Sequence, residues 1–266
     1  MYVKKVLLMI TVTLSVFMAQ AQTKTKEEIR KERAARLETL RKNEDEDALI
    51  YNKQGAFGLR LNTDGYGIWY EHGKYKTISQ TNLWWISLDE RKDPKEKRVT
   101  NTDGFFQIGN PFVYGKIKNF YQLKIGIGQQ RLIGGKDVKN GVAVSAIYGG
   151  GISAGLIKPY YINVTDSVGT NSDIKYSSAT DNTFRLGPIN GGSGFGKGFN
   201  ELSFIPGVHA RAALRFDYGH FNELLSAIEA GVTAQYYTKD IQMMLDQSGK
   251  KFFFNAYVAL VFGKRK

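Results

Sequence analysis

From residue 51 onward, apolar side chains recur at every second position, the period of a β-strand with two unlike faces. In AFGLRLN, Phe57, Leu59 and Leu61 alternate with Gly58 and Arg60. In NFYQLKIGIGQQ, Tyr121, Leu123, Ile125 and Ile127 alternate with Gln122, Lys124, Gly126 and Gly128. VHARAALRFDY sets Val208, Ala210, Ala212, Leu214 and Phe216 against His209, Arg211, Ala213, Arg215 and Asp217, and AIEAGVTAQYY repeats the pattern around Glu229. The alternation predicts eight strands, at about 54–62, 66–74, 79–90, 118–131, 141–162, 202–218, 224–239 and 251–263. TNLWWISLDE and FFFNAYVALVF stay ambiguous in register, because both faces are apolar in places.

Most of these strands reach the roughly 9–11 residues that a transmembrane β-strand needs. The connections carry further information. If the first strand rises from the periplasm, the two longest connections, about 91–117 and 163–201, both fall outside the cell. The turns expected near His72–Lys74, Gly134–Asn140 and Gly219–Asn222 fall inside. Short periplasmic turns and longer outer loops on an even number of strands are the layout of an outer-membrane barrel. Tyr160, Tyr161, Tyr236, Tyr237 and the run Phe252, Phe253, Phe254 are expected at the outer interface, with Phe216, Tyr218, Phe221 and Phe262 at the inner one. The predicted fold is therefore all-β, an eight-stranded antiparallel transmembrane β-barrel over residues 51–266. A soluble β-sandwich has the same alternation and is the competing architecture.

The polar face then becomes a barrel interior. It carries Arg60, Glu71, Lys124, His209, Arg211, Arg215, Asp217 and Glu229. An eight-stranded barrel is just wide enough for side chains to fill it, so these charges are expected to pair and close the lumen. The competing expectation is a narrow, Arg-lined pore.

Residues before 51 follow a different rule. MYVKKVLLMITVTLSVFMAQAQ has Lys4 and Lys5, an apolar run to Ala19, and Ala19-Gln20-Ala21. That is the layout of a secretory signal peptide, expected to span 1–21. Segment 22–50 is charged and has no aromatic, glycine or proline; Glu27–Lys31 and Glu38–Lys42 are helical i,i+4 pairs. It reads as a periplasmic helix and linker, with Ile29, Arg33, Leu37 and Leu40 as its candidate partner-binding positions.

Composition narrows the chemistry. The chain has 29 Gly, 15 Tyr, 16 Phe and no Cys, which excludes disulfides and zinc–thiolate sites. Its formal charge of +12 suits an anionic lipid surface or an acidic partner. No nucleic-acid module is present. GGSGFGKG at 191–198 resembles a P-loop, but Gly198 stands where a hydroxyl should be, and Pro188 and Pro206 break the flanks. It reads as a flexible glycine-rich surface loop. His72, His209 and His220 stand in no metalloprotease motif, no G-x-S-x-G elbow occurs, and no serine lies near His209. No catalytic residue, metal, nucleotide or other cofactor is expected.

DPKEKR at 93–98, GKIKNFYQLKIGIG at 115–128 and GGGISAGLIKPYYINV at 149–164 resemble small outer-membrane β-barrels of Bacteroidota, loosely described as PorT-like. The resemblance covers most of residues 50–266 and supplies no catalytic residue. It implies association with an envelope complex, as PorT-like barrels are associated with type IX secretion. The expected function is a non-enzymatic subunit of outer-membrane assembly or secretion machinery, in contact with outer-membrane lipid and with other outer-membrane or periplasmic proteins. The alternatives are a narrow pore or solute-binding barrel and, less favoured, a lipid-modifying enzyme.

Overall fold

The computed structural model describes residues 28, 30–32, 35, 52–77, 79–103, 106–135, 141–165, 168–219 and 223–266. In the N-terminal unit, residues 28, 30–32 and 35 are helical and exposed. Ile29, Arg33, Leu37, Leu40 and the expected signal peptide lie outside the described residues.

The second unit is a closed barrel. Its strands are β1 (Lys53–Asn62), β2 (Gly65–Thr77), β3 (Gln80–Arg91), β6 (Lys118–Gly134), β7 (Ala143–Pro159), β11 (Ser203–Asp217), β12 (Leu224–Ile241) and β13 (Lys250–Arg265). The ring runs β1–β13–β12–β11–β7–β6–β3–β2 and closes through β1–β2, with every neighbouring pair antiparallel. Closure leaves no strand edge unpaired. The chain is an eight-stranded antiparallel β-barrel.

The wall is inverted relative to a soluble protein. Ile127, Ile152 and Leu61 are 73%, 67% and 72% exposed, while Glu71 and Glu229 are 0% exposed. A sandwich would bury the aliphatic face and expose the carboxylates. The continuous apolar exterior is the surface that a bilayer covers.

Both ambiguous registers resolve inside this wall. Trp85 points into the lumen and Trp84 outward. On β13, Phe253, Asn255, Tyr257, Ala259 and Val261 point in. The first even-numbered connection does not fall at His72–Lys74, because β2 runs on through Lys74 and Lys76 to Thr77, paired to β3, which begins at Gln80. Those polar residues sit on an exposed strand end beyond the apolar band, so polarity there marks the band's edge and not a turn.

The two long connections share one end of the barrel with the turn at 63–64 and the segment 242–249; the ends where β2 passes to β3, β6 to β7 and β11 to β12 share the other. Asn52 N–H donates to the Lys266 carbonyl at 2.8 Å, so both ends of the barrel chain meet at the turn end.

The long connections are folded. The first forms the hairpin β4 (Arg98–Asp103)–β5 (Phe106–Val113). The second forms a sheet of β8 (Tyr161–Thr165), β9 (Asn171–Lys175) and β10 (Ile189–Gly192) with the short helix α1 (Asp181–Leu186). Phe184, Ile162 and Val164 make a small core there, packed by Tyr160, Tyr176 and Leu245. Asn101 donates to the Ile189 carbonyl at 2.5 Å and Asn110 to that of Gly192 at 3.3 Å, joining the two connections.

Candidate functional site

The barrel interior is the first candidate. Alternation along β1, β2, β6, β11 and β12 aims Arg60, Glu71, Lys124, His209, Arg211, Arg215, Asp217 and Glu229 into the lumen, all at 6% exposure or less. Four of them form one cluster. Arg215 donates to Glu71 through Nη1 at 2.5 Å and Nη2 at 2.9 Å, and to Glu229 Oε2 through Nη2 at 2.6 Å. Arg211 pairs with Glu229, and its Nε donates to the Tyr257 hydroxyl at 2.9 Å, which itself donates to Glu229. Arg60 and Lys124 join elsewhere, on Asp89, at 2.8 and 3.0 Å. Asp217 pairs with Arg265 at the turn end. His209 has Trp85 for a neighbour, whose Nε1 donates to Nε2 at 3.3 Å.

Asp89, Arg91 and Tyr257 complete the network and were not singled out from the sequence. The ambiguous register of TNLWWISLDE hid the inward parity of Asp89, and Arg91 lies one residue beyond the strand expected at 79–90. Arg91 pairs with Asp64 and donates to Gln235 at 2.7 Å across the barrel. Beyond it, Phe120, Tyr237, Phe253, Ile205, Met243 and Met244 form an apolar layer at the loop-bearing end. At the opposite end Gln54 donates to Gln130 at 3.1 Å, and Gln130 to Ser145 at 3.3 Å. The lumen is thus filled in layers by side chains that reach from wall to wall.

Tyr237 and Phe253 belong to this filling and not to the outer aromatic belt expected of them. Each has inward parity on its strand. Tyr160 is also off the belt, packed in the folded cap with its hydroxyl accepting from Val113 N–H at 3.0 Å. Tyr236, Phe252 and Phe254 do face outward at the loop end, as do Phe216, Tyr218 and Phe262 at the turn end; Phe221 lies outside the described residues.

Interior glycines seat the large rings. A Cβ on Gly126 would fall 2.4 Å from the Trp85 ring, and one on Gly58 would fall 2.3 Å from that of Trp69. Gly231 stands in the same relation to Tyr257, and Gly207 to Tyr237. Packing, and not left-handed backbone, explains these four glycines: Cβ-less positions leave room for aromatics in a narrow lumen.

The second candidate lies outside the wall. A cleft of about 380 Å³ opens at the loop-bearing end, between the outward faces of β2, β3 and β6, the β4–β5 hairpin and segment 192–197. Lys92, Arg98, Lys116, Lys158 and Lys197 line it, with Glu90 and Glu96. GGSGFGKG contributes here as a capping loop that begins within β10; Lys197 pairs with Asp173 at 2.7 Å. No strand-to-helix junction cradles a phosphate at this segment.

His72 lies mid-strand on the outer face against Trp84, with ring centroids 5.9 Å apart, rather than at a turn, because β2 is longer than expected. His220 lies outside the described residues. Among the described residues no cluster of His, Asp and Glu is arranged to hold a metal ion.

No protein-family model matches the chain, and no curated protein matches it. Solved structures do. The N-terminal β-barrel domain of Pseudomonas aeruginosa OprF is 9% identical over 80% of this chain and 98% of that one, with a TM-score of 0.33. The attachment invasion locus protein Ail of Yersinia pestis is 8% identical over 82% of this chain and all (100%) of that one, with a TM-score of 0.35. Neisserial surface protein A is 8% identical over 80% and 96%, with a TM-score of 0.36.

Proposed function

We propose that this protein is a non-enzymatic, non-conducting barrel of the outer membrane that serves as an anchored subunit of an envelope complex. The filled lumen carries the reading. Arg215 reaches Glu71 from the opposite side of the ring, and layers of side chains lie on either side of that contact. Such an interior stabilises a barrel and leaves its surfaces to do the work. The apolar exterior supports a membrane position, and the grouping of long connections at one end supports that end as the outer one. Both barrel termini then face the periplasm, together with the charged segment 22–50 that follows an expected signal peptide at 1–21. The segment's sequence suits a partner-docking helix through Ile29, Arg33, Leu37 and Leu40. The resemblance to PorT-like barrels points to assembly or secretion machinery.

The test is affinity purification from native outer membranes in mild detergent, comparing the full chain with a variant carrying Ile29→Ser, Leu37→Ser and Leu40→Ser. A stoichiometric partner set that the variant loses is the expected result. A monomer in both preparations would overturn the complex-subunit reading.

A further inference from the structure

The cleft at the loop-bearing end has a charge balance and a position that the filled barrel does not require. Its two acids are occupied: Glu90 accepts from the Tyr66 hydroxyl, and Glu96 pairs with Lys116 at 2.7 Å. Lys197 is held by Asp173. Among the described residues, no carboxylate pairs with Lys92, Arg98 or Lys158. Three cations therefore share one concavity without a salt bridge, and the single carboxylate beside them that no lysine holds, Glu90, leaves the cleft with a positive excess.

Lys158 is set with care. It is 2% exposed, and its Nζ donates to the Phe195 carbonyl at 2.5 Å. The rings of Phe195 and Phe199 lie 4.5 and 4.4 Å from that nitrogen. An ammonium has three donors, and one carbonyl leaves two of them without a hydrogen-bond acceptor among the described residues. Lys92 rests over the Tyr66 ring at 5.1 Å.

The floor of the cleft decides what kind of ligand fits. Tyr66, Glu90 and Tyr121 are paired neighbours on β2, β3 and β6 and face outward. The next outward positions on the same strands are Ile68, Leu88 and Leu123, the start of the apolar wall. The cleft thus begins where the lipid-facing surface stops. Tyrosines at that boundary and basic groups just beyond it are placed at headgroup depth.

We propose that this cleft binds the phosphate of a membrane lipid, with Lys92, Arg98 and Lys158 as its charge partners. The acyl chains would run down the wall past Leu88 and Leu123. The inference goes beyond the role proposed above and does not depend on it.

Native mass spectrometry of the full chain released from detergent provides the test. The probes are phosphatidic acid, phosphatidylcholine and inorganic phosphate. Two variants are compared: Lys92→Gln/Arg98→Gln/Lys158→Gln in the cleft, and Lys53→Gln/Lys74→Gln/Lys76→Gln at the exposed turn end. The cleft variant should lose phosphatidic acid affinity by about tenfold or more, and the control should keep it. Equal loss in both variants would reduce the effect to surface charge and overturn the site. Phosphatidylcholine binding as well as phosphatidic acid would overturn the charge-based recognition, and inorganic phosphate displacing the lipid at equal concentration would overturn the lipid assignment. Arg98→Gln and Lys92→Gln singly, on a ledge outside the barrel, separate lost binding from lost folding; unchanged affinity in both would also count against the site.

Discussion

Arg215 on β11 and Glu71 on β2 stand on strands four places apart in a ring of eight, and they grip each other by two parallel hydrogen bonds of 2.5 and 2.9 Å. Both are essentially without solvent contact. Arg215→Ala leaves Glu71 buried with Arg211 Nη2 3.8 Å away and a 3.3 Å hydrogen bond from Trp69 Nε1 as its remaining partners. Loss of one partner of a buried pair costs about 3–5 kcal/mol, whereas replacing both with apolar side chains of like volume is often near neutral. Urea unfolding from lipid vesicles should therefore show Arg215→Ala and Glu71→Ala strongly destabilised. Arg215→Met/Glu71→Leu should recover a large part of the loss. A double variant as weak as the sum of the singles would show that the pair is not acting as a unit.

The same cross-lumen contacts predict electrical silence. Arg91 to Gln235 and Arg215 to Glu71 each bridge opposite walls, and the aromatic layer of Phe120, Tyr237 and Phe253 covers the loop end. Reconstituted in planar bilayers, the full chain should give no unitary steps at either polarity. Regular, ion-selective steps would restore the narrow-pore alternative.

Strand existence was legible in the sequence because period-two alternation survives wherever one face meets lipid and the other meets a polar lumen. The existence of all eight barrel strands, and the inward parity of eight polar interior positions, follow from that alternation, with the register of β3 and β13 left open. What parity could not reveal was each charge's partner. Arg215 and Glu71 are 144 positions apart, and only ring closure brings them together. The adjacent Trp84 and Trp85 erased the alternation on β3, so Asp89 went unnoticed although it joins Arg60 and Lys124. The folded cap was illegible for another reason. Its strands β4, β5 and β8–β10 are 4–8 residues long, and their contacts, such as Asn101 with Ile189, cross between separate connections. Short strands carry too few alternations to be told from loop.

Gly126 and Trp85 supply a prediction about packing. A Cβ at Gly126 meets Trp85 Cζ2 at 2.4 Å, on a ring that is 1% exposed and cannot swing away. Gly126→Ala should cost about 1–3 kcal/mol by overpacking. Gly135→Ala, with nothing within 4 Å of its Cβ, should cost little. Trp85→Leu in the Gly126→Ala background should restore part of the lost stability by removing the obstructing ring. The urea midpoints of the four proteins check this, and equal midpoints for Gly126→Ala and Gly135→Ala would contradict it.

Asp173 and Lys197 give a pH dependence confined to the cap. The Lys197 ammonium at 2.7 Å, followed by the Asn163 amide donating at 3.0 Å and the nearby Ser193 hydroxyl, holds the Asp173 carboxylate and lowers its pKa to about 2. A carboxyl depressed in the folded state contributes stability that is fully present above its ordinary range, near about 4, and is lost as pH falls through the folded value. The cap contact is therefore expected to hold from neutral pH down to about pH 3 and to release only below it. Carbon NMR of the Asp173 carboxyl should show a midpoint near 2 in the full chain. Lys197→Met removes the largest cause and should raise that midpoint toward the ordinary carboxylate value. An unchanged midpoint would mean that Asn163 and Ser193 hold the carboxylate without the lysine. Lys197 would then have no part in tying GGSGFGKG to β9.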